Sequence, residues 1–167
     1  MPAIHQSLLI SAPLSTIYAA LTTSNGLSGW WTPDSQAAEE INSILHFPFG
    51  PSYFKEMKVS QLEPFELVKW NCVAGAEEWI GTNLSFELKS ADDNNFLVAH
   101  PEMEGQMQQV TNGKAQSLLT FHHEDWKEYS PMFAECSYTW GQFLRSLKLF
   151  CETGEGIPWP NQHRTKY

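Results

Sequence analysis

Four ionisable side chains stand in a row at His122, His123, Glu124 and Asp125, and imidazoles beside carboxylates are what a divalent metal or a general acid–base pair requires. The flanking residues alternate as a strand does, so neighbouring side chains point to opposite faces. His122 and His123 therefore cannot hold one ion together. The same-face pair is His122 with Glu124, expected to face solvent. His123 shares a face with Leu119 and Phe121, where a single imidazole is either a polar member of an apolar wall or, with its ring in a pocket, the base of a cyclase or dehydratase type of reaction. Cys72, Cys136 and Cys151 are odd in number and form no Cys-x-x-Cys pair, which suits buried reduced thiols better than a disulfide framework or zinc. Glu77, Glu78, Glu102 and Glu104 read as solvated loop charges. The chain carries no Gly-x-Ser-x-Gly elbow, phosphate-binding glycine loop or His-Glu-x-x-His segment. No catalytic residue, metal or cofactor is expected.

The elements that position these residues follow from periodicity. Downstream of the histidines, Phe133, Cys136, Trp140, Phe143, Leu147 and Phe150 recur at steps of three and four, which predicts a helix over 131–153 with one continuous apolar face. Ser130 and Pro131 supply its cap and first turn, and Gly154 and Pro158 its end. Upstream, residues 4–10 read as a strand in which Gln6 is the polar exception. Pro13 opens a short helix ending near Thr22, and a second helical turn covers 24–31, where the Trp30-Trp31 pair demands burial. Between residues 35 and 88 the pattern is a meander of half-buried antiparallel strands over 44–49, 53–62, 67–73 and 79–89. Residues 90–116 fit neither period, and with Asn112-Gly113 among them they read as an extended loop or hairpin insertion. A last strand covers 118–126, and the tail over 154–167 looks extended, anchored by Trp159. Gly141 inside the helix costs about 1 kcal/mol against alanine, which suggests close packing beside Trp140.

Bulk composition bounds the function. A chain of 167 residues is one domain's length. Its net charge of −9 and only ten Lys and Arg, scattered, disfavour nucleic acid and anionic membranes. No stretch approaches the roughly 20 apolar residues of a membrane span, and the start lacks a basic leader with an apolar run, so a cytoplasmic location is expected. Aromatic residues reach 13%, with seven tryptophans, and these large rings need enclosure. The element order implies an α+β fold in which one antiparallel sheet buries a face on the terminal helix. If the space between them is hollow, it is a ligand site.

Residue strings along most of the chain carry a resemblance. They are Leu8 to Pro13 with Ile17 to Leu21, Gly29-Trp30-Trp31, Leu62-Glu63-Pro64, Val68-Lys69-Trp70, Gly81-Thr82 with Phe86-Glu87-Leu88, Phe121-His122-His123 with Trp126, Trp140-Gly141 with Phe143-Leu144, and Gly154-Glu155-Gly156-Ile157-Pro158. Together and in order they resemble the single-domain proteins related to the activator of the ninety-kilodalton heat-shock ATPase, within the START/SRPBCC superfamily. Two departures stand out: residues 90–116 are longer than the usual hairpin, and His122 to Asp125 replace a less charged run. The resemblance implies a helix-grip fold, a curved sheet wrapped around the terminal helix, with a pocket for lipid-like or aromatic apolar molecules. Trp70, Phe86, Phe121 and His123 are the expected sheet-side lining, Trp140, Phe143 and Leu147 the helix side, and Trp31 completes it. The family name implies a chaperone partner as the alternative role. A monomer or weak homodimer is expected.

Overall fold

The computed structural model describes residues 1–91, 95–107 and 115–165. The elements run in the order β1 (Ile4–Ile10), α1 (Leu14–Thr22), α2 (Ser24–Trp30), β2 (Ile44–Pro48), β3 (Phe54–Glu63), β4 (Leu67–Ala74), β5 (Asn83–Ser90), α3 (Asn95–Ala99), β6 (Ser117–Glu124) and α4 (Pro131–Thr153). All strand pairs are antiparallel, in the order β1-β6-β5-β4-β3-β2. The result is the expected helix grip: a curved open sheet that holds α4.

Alternation within each strand decides which side chains meet the helix. β6 follows it along its whole length, with Ser117, Leu119, Phe121 and His123 inward. Register then lines up rows across the sheet, and one row joins Ile4, His123, Leu84, Trp70 and Val59. Two register shifts between β3 and β4, one with Val73 as the extra residue on β4 and one with Ser60 as the extra residue on β3, add local twist that bends this end of the sheet.

Helix α4 begins and ends where its caps dictate. The Ser130 hydroxyl accepts the Phe133 N–H at 3.1 Å, and it donates to the Glu78 carboxylate, which places negative charge at the positive end of the helix dipole. Gly154, with φ of 88°, closes the last turn onto the Phe150 carbonyl at 2.8 Å. The buried face includes Trp140, Phe143 and Leu147, as the spacing predicts, and also Ser146 and Lys148. Ser146 Oγ donates to the Trp30 carbonyl at 2.8 Å and accepts the Ile157 N–H at 2.8 Å. Lys148 Nζ donates to the Leu9 carbonyl at 2.6 Å and to Glu152 at 2.9 Å. These two polar residues tie the helix to α2, β1 and the tail.

The short helices stack closely. A Cβ on Gly26 would lie 2.6 Å from Ala20 Cα, so only glycine permits α1 and α2 to touch there. Trp30 is locked by its indole N–H on the Ala20 carbonyl at 2.8 Å.

Several expectations change. The strand predicted from residue 79 begins at Asn83, because Gly81 takes a φ of 91° and Trp79 closes a turn onto Ala76 and Thr82. Trp79 is buried from that turn while Ile80 is exposed. β6 stops at Glu124, since Asp125 has a φ of 67° that no strand continues. Within 90–116, where a loop or hairpin is predicted, the described residues include α3 and a 3-10 turn over Pro101–Met107. Gln106 Oε1 accepts the Leu9 N–H at 2.8 Å and so occupies a donor on the β1 edge. Asn112-Gly113 lies outside the described residues. The tail passes back over the sheet end, where the Trp159 N–H bonds the Trp31 carbonyl at 2.8 Å, and it ends in a 3-10 turn over Gln162–Arg164. At Gly141 an added Cβ would meet Gln6 at 3.6 Å, ordinary contact, so close packing is not what places glycine there. Among the described residues no helix is long and apolar enough to cross a membrane.

Candidate functional site

A cavity of about 450 Å³ opens between the sheet end and the N-terminal half of α4. Met132, Glu135, Cys136, Thr139, Trp140 and Phe143 face it from the helix, at the same three- and four-residue steps that form the apolar stripe. Phe49 and Tyr53 come from the β2–β3 turn, Lys55 from β3, Trp79 from the β4–β5 turn, Trp31 from the end of α2, and Trp159 and Gln162 from the tail. Every wall is thus held by a different element, and five of the thirteen lining residues are Trp or Phe apart from Phe49 itself.

Of the eight residues expected to line a pocket, Trp31, Trp140 and Phe143 border this cavity. Trp70, Phe86, Phe121, His123 and Leu147 do not; they lie behind it, fully buried. Their rings fill the deep interior. Trp70 meets Phe86 at 5.0 Å between centroids, Phe86 meets Phe121 at 5.2 Å, and Phe121 meets Trp140 at 4.5 Å. Trp31 separates the packed region from the open one: it stacks on Trp70 at 6.0 Å and also touches Phe47 at 4.3 Å and Trp140 at 5.2 Å.

His123 is committed to structure. The indole N–H of Trp140 can only donate, and it reaches His123 Nδ1 at 3.2 Å, so Nδ1 accepts and the proton sits on Nε2. Nε2 then donates to Thr82 Oγ1 at 2.9 Å, and Thr82 passes the chain to the Trp79 carbonyl at 2.6 Å. Burial pushes the imidazole pKa down to about 3. Both nitrogens are occupied and His123 does not border the cavity, so its ring is not presented there as a base. His122 lies on the other face, 3.1 Å from His5 and 4.0 Å from Glu124, and no group of three potential metal ligands occurs among the described residues.

Lys55 is a candidate site residue that the sequence does not single out. It is 9% exposed, and its ammonium lies over Phe49, Tyr53 and Trp79 at 4.1, 4.7 and 4.5 Å from the ring centroids. Burial drags its pKa down to about 8. The available signal was parity, because Lys55 falls in step with the core residues Met57 and Val59 on β3. Across the cavity the Cys136 thiol accepts the Trp79 indole N–H at 3.3 Å, and burial raises its pKa, as it does for Tyr53. A protonated thiol here is a wall atom rather than a nucleophile.

No protein-family model and no curated protein matches the chain. Among solved structures, the Aha1 dimer from Colwellia psychrerythraea is 34% identical with a TM-score of 0.72, covering 93% of this chain and 100% of that one. The chain belongs to the Aha1 family. Wider likenesses surround this Aha1-family protein and show the fold alone. Protein MLL2253 from Mesorhizobium loti is 14% identical, with a TM-score of 0.62 over 88% of this chain and 94% of that one. DynU16, from the dynemicin biosynthetic locus, is 16% identical, with a TM-score of 0.63 over 92% of this chain and 48% of that one. The Aha1-family chain has the helix-grip fold that the sequence resemblance implies.

Proposed function

We propose that this Aha1-family protein binds a small, largely apolar molecule in the cavity between its sheet end and the N-terminal half of α4, as one domain over 1–167 working in the cytoplasm. The observation that carries the reading is the cavity itself. At about 450 Å³, it falls in the range of roughly 300 to 1,000 Å³ typical of ligand pockets, and aromatic walls with a few convergent polar groups are what such a site needs. Burial of ring surface supplies affinity, and the polar groups fix orientation. Of the eight residues first expected to touch the ligand, Trp31, Trp140 and Phe143 do so directly. Trp70, Phe86, Phe121, His123 and Leu147 support those walls from behind.

The test is a search for small molecules that co-purify with the folded protein, by native mass spectrometry, together with displacement of a hydrophobic dye. Thr139→Trp places a ring in the cavity from a half-buried helix position and is expected to abolish dye binding while leaving the protein folded. Dye binding unchanged in that variant would remove the reading.

A second reading concerns assembly. The Colwellia psychrerythraea relative is an Aha1 dimer, and we infer that this chain forms a homodimer as well. Light scattering after size-exclusion chromatography is expected to give twice the 19.0 kDa of the chain at high concentration. A mass that stays at one chain throughout would reject it. The chaperone role implied by the family rests on kinship alone, and its test is titration of a ninety-kilodalton heat-shock ATPase, whose turnover should rise.

A further inference from the structure

Resting on the cavity reading, we propose that the ligand is an amphipathic anion whose acidic head group, a carboxylate or sulfonate, sits against Lys55 while its planar apolar body lies along Trp31, Trp140 and Trp159. Lys55 is nine-tenths buried, borders the cavity, and among the described residues has no carboxylate within ion-pair distance and no hydrogen-bond acceptor on its ammonium. Three aromatic faces stabilise the charge in part, but ring quadrupoles do not replace the full hydration shell of an ammonium whose three N–H donors find no acceptor in the protein. Burying an unpaired charge is costly, and here that cost falls at the wall of an aromatic cavity. A guest carrying a negative head group would supply the missing acceptors in a site of low dielectric, where such bonds are strongest.

The other titratable groups facing Lys55 do not compete for this role. Tyr53, Cys72 and Cys136 are kept protonated by burial, and His123 is neutral within its own hydrogen-bond chain. Glu135 lines the opposite wall from an exposed position on α4, too far to form an ion pair with Lys55. The overall charge of −9 repels anions at long range, so any preference for one must arise locally in the cavity.

Two dyes isolate the head group. 8-Anilinonaphthalene-1-sulfonate and N-phenyl-1-naphthylamine share one ring system and differ by the sulfonate. The sulfonate dye is expected to bind with one saturable site, about ten to a hundred times more tightly than the neutral dye, the range of one charge-assisted hydrogen bond. Lys55→Met should remove that preference while leaving the neutral dye's affinity within about twofold, and Lys55→Arg should keep most of it. Without any variant, the sulfonate dye should lose affinity between pH 7 and pH 9.5, as Lys55 gives up its proton, while the neutral dye does not. Equal binding of the two dyes, or a preference that survives Lys55→Met and is independent of pH, would overturn the anion assignment and leave the cavity standing. If neither dye binds at a saturable site, both readings fall.

Discussion

His123 and Lys55 are both buried and both basic, yet their surroundings differ, and each should show its own dependence on pH. His123 folds as the neutral ring, with a pKa near 3 against about 6.5 in the unfolded chain. Between those values the unfolded state binds a proton that the native state refuses, so the stabilising difference is complete above pH 6.5 and is lost as pH falls. From pH 7 to pH 5 this one residue should remove about 2 kcal/mol of unfolding free energy. His123→Gln can accept from Trp140 and donate to Thr82 without titrating, and chemical denaturation of that variant should show a correspondingly smaller loss over the same interval. For Lys55 the native pKa of about 8 lies below that of the unfolded chain, about 10.4, and the charged form is the one the fold penalises. That penalty is full below pH 8 and is relieved as pH rises from 8 toward 10.4. It is up to about 3 kcal/mol, offset by cation–π attraction of about a third to two thirds of that size at three ring faces. Lys55→Met should therefore be more stable than the native protein at pH 7, by about 1 kcal/mol, and the advantage should shrink above pH 8 in urea titrations.

At the level of elements, α4 shows how much a helix's spacing determines and how much its neighbours add. The apolar stripe specifies which face turns inward, and Ser130, Pro131 and Gly154 mark its ends, all from local chemistry. Gly141 has room for a methyl group, because an added Cβ would meet Gln6 at 3.6 Å, an ordinary contact distance. Gly141→Ala should raise the unfolding free energy by up to about 1 kcal/mol, read as a higher denaturation midpoint with no change in slope. Ser146 is the converse case. Its hydroxyl joins the Trp30 carbonyl to the Ile157 N–H, and Ser146→Ala leaves both without their partner inside the protein. A loss of about 1 to 3 kcal/mol is expected, accompanied by faster amide exchange at Ile157 if the tail loosens. Ser146 lies three residues after Phe143 and four before Phe150, so the spacing turns it inward, but nothing in its sequence context names the two backbone groups it joins.

Across the whole molecule, Trp31 is where the packed interior meets the cavity, and its removal should be felt on both sides. Trp31→Ala should cost about 3 to 5 kcal/mol, since Phe47, Trp70, Trp140 and Phe143 all lose a ring neighbour. The same variant should also weaken binding of the neutral dye, whereas Phe86→Leu, behind the wall, should cost stability with little effect on the dye. The two variants together separate a filled core from an open site by measurement.

Periodicity, turn residues and caps depend on neighbours a few positions apart, which is why the strand positions, the limits of α4, the α+β class and the inward face of His123 can be read from the chain alone. The family resemblance is legible for the same reason, in short strings kept in order. What required the folded molecule was every relation between distant segments: β1 pairing beside β6, Trp79 swinging in from a turn, and the Trp140 and Thr82 bonds that occupy both nitrogens of His123. Burial at one strand position says that a side chain points inward, but whether it meets another ring or an open space depends on the lengths of side chains arriving from other elements. Lys55 is the sharpest instance, since its charge predicts solvent and only the assembled aromatic walls of Phe49, Tyr53 and Trp79 hold it inside.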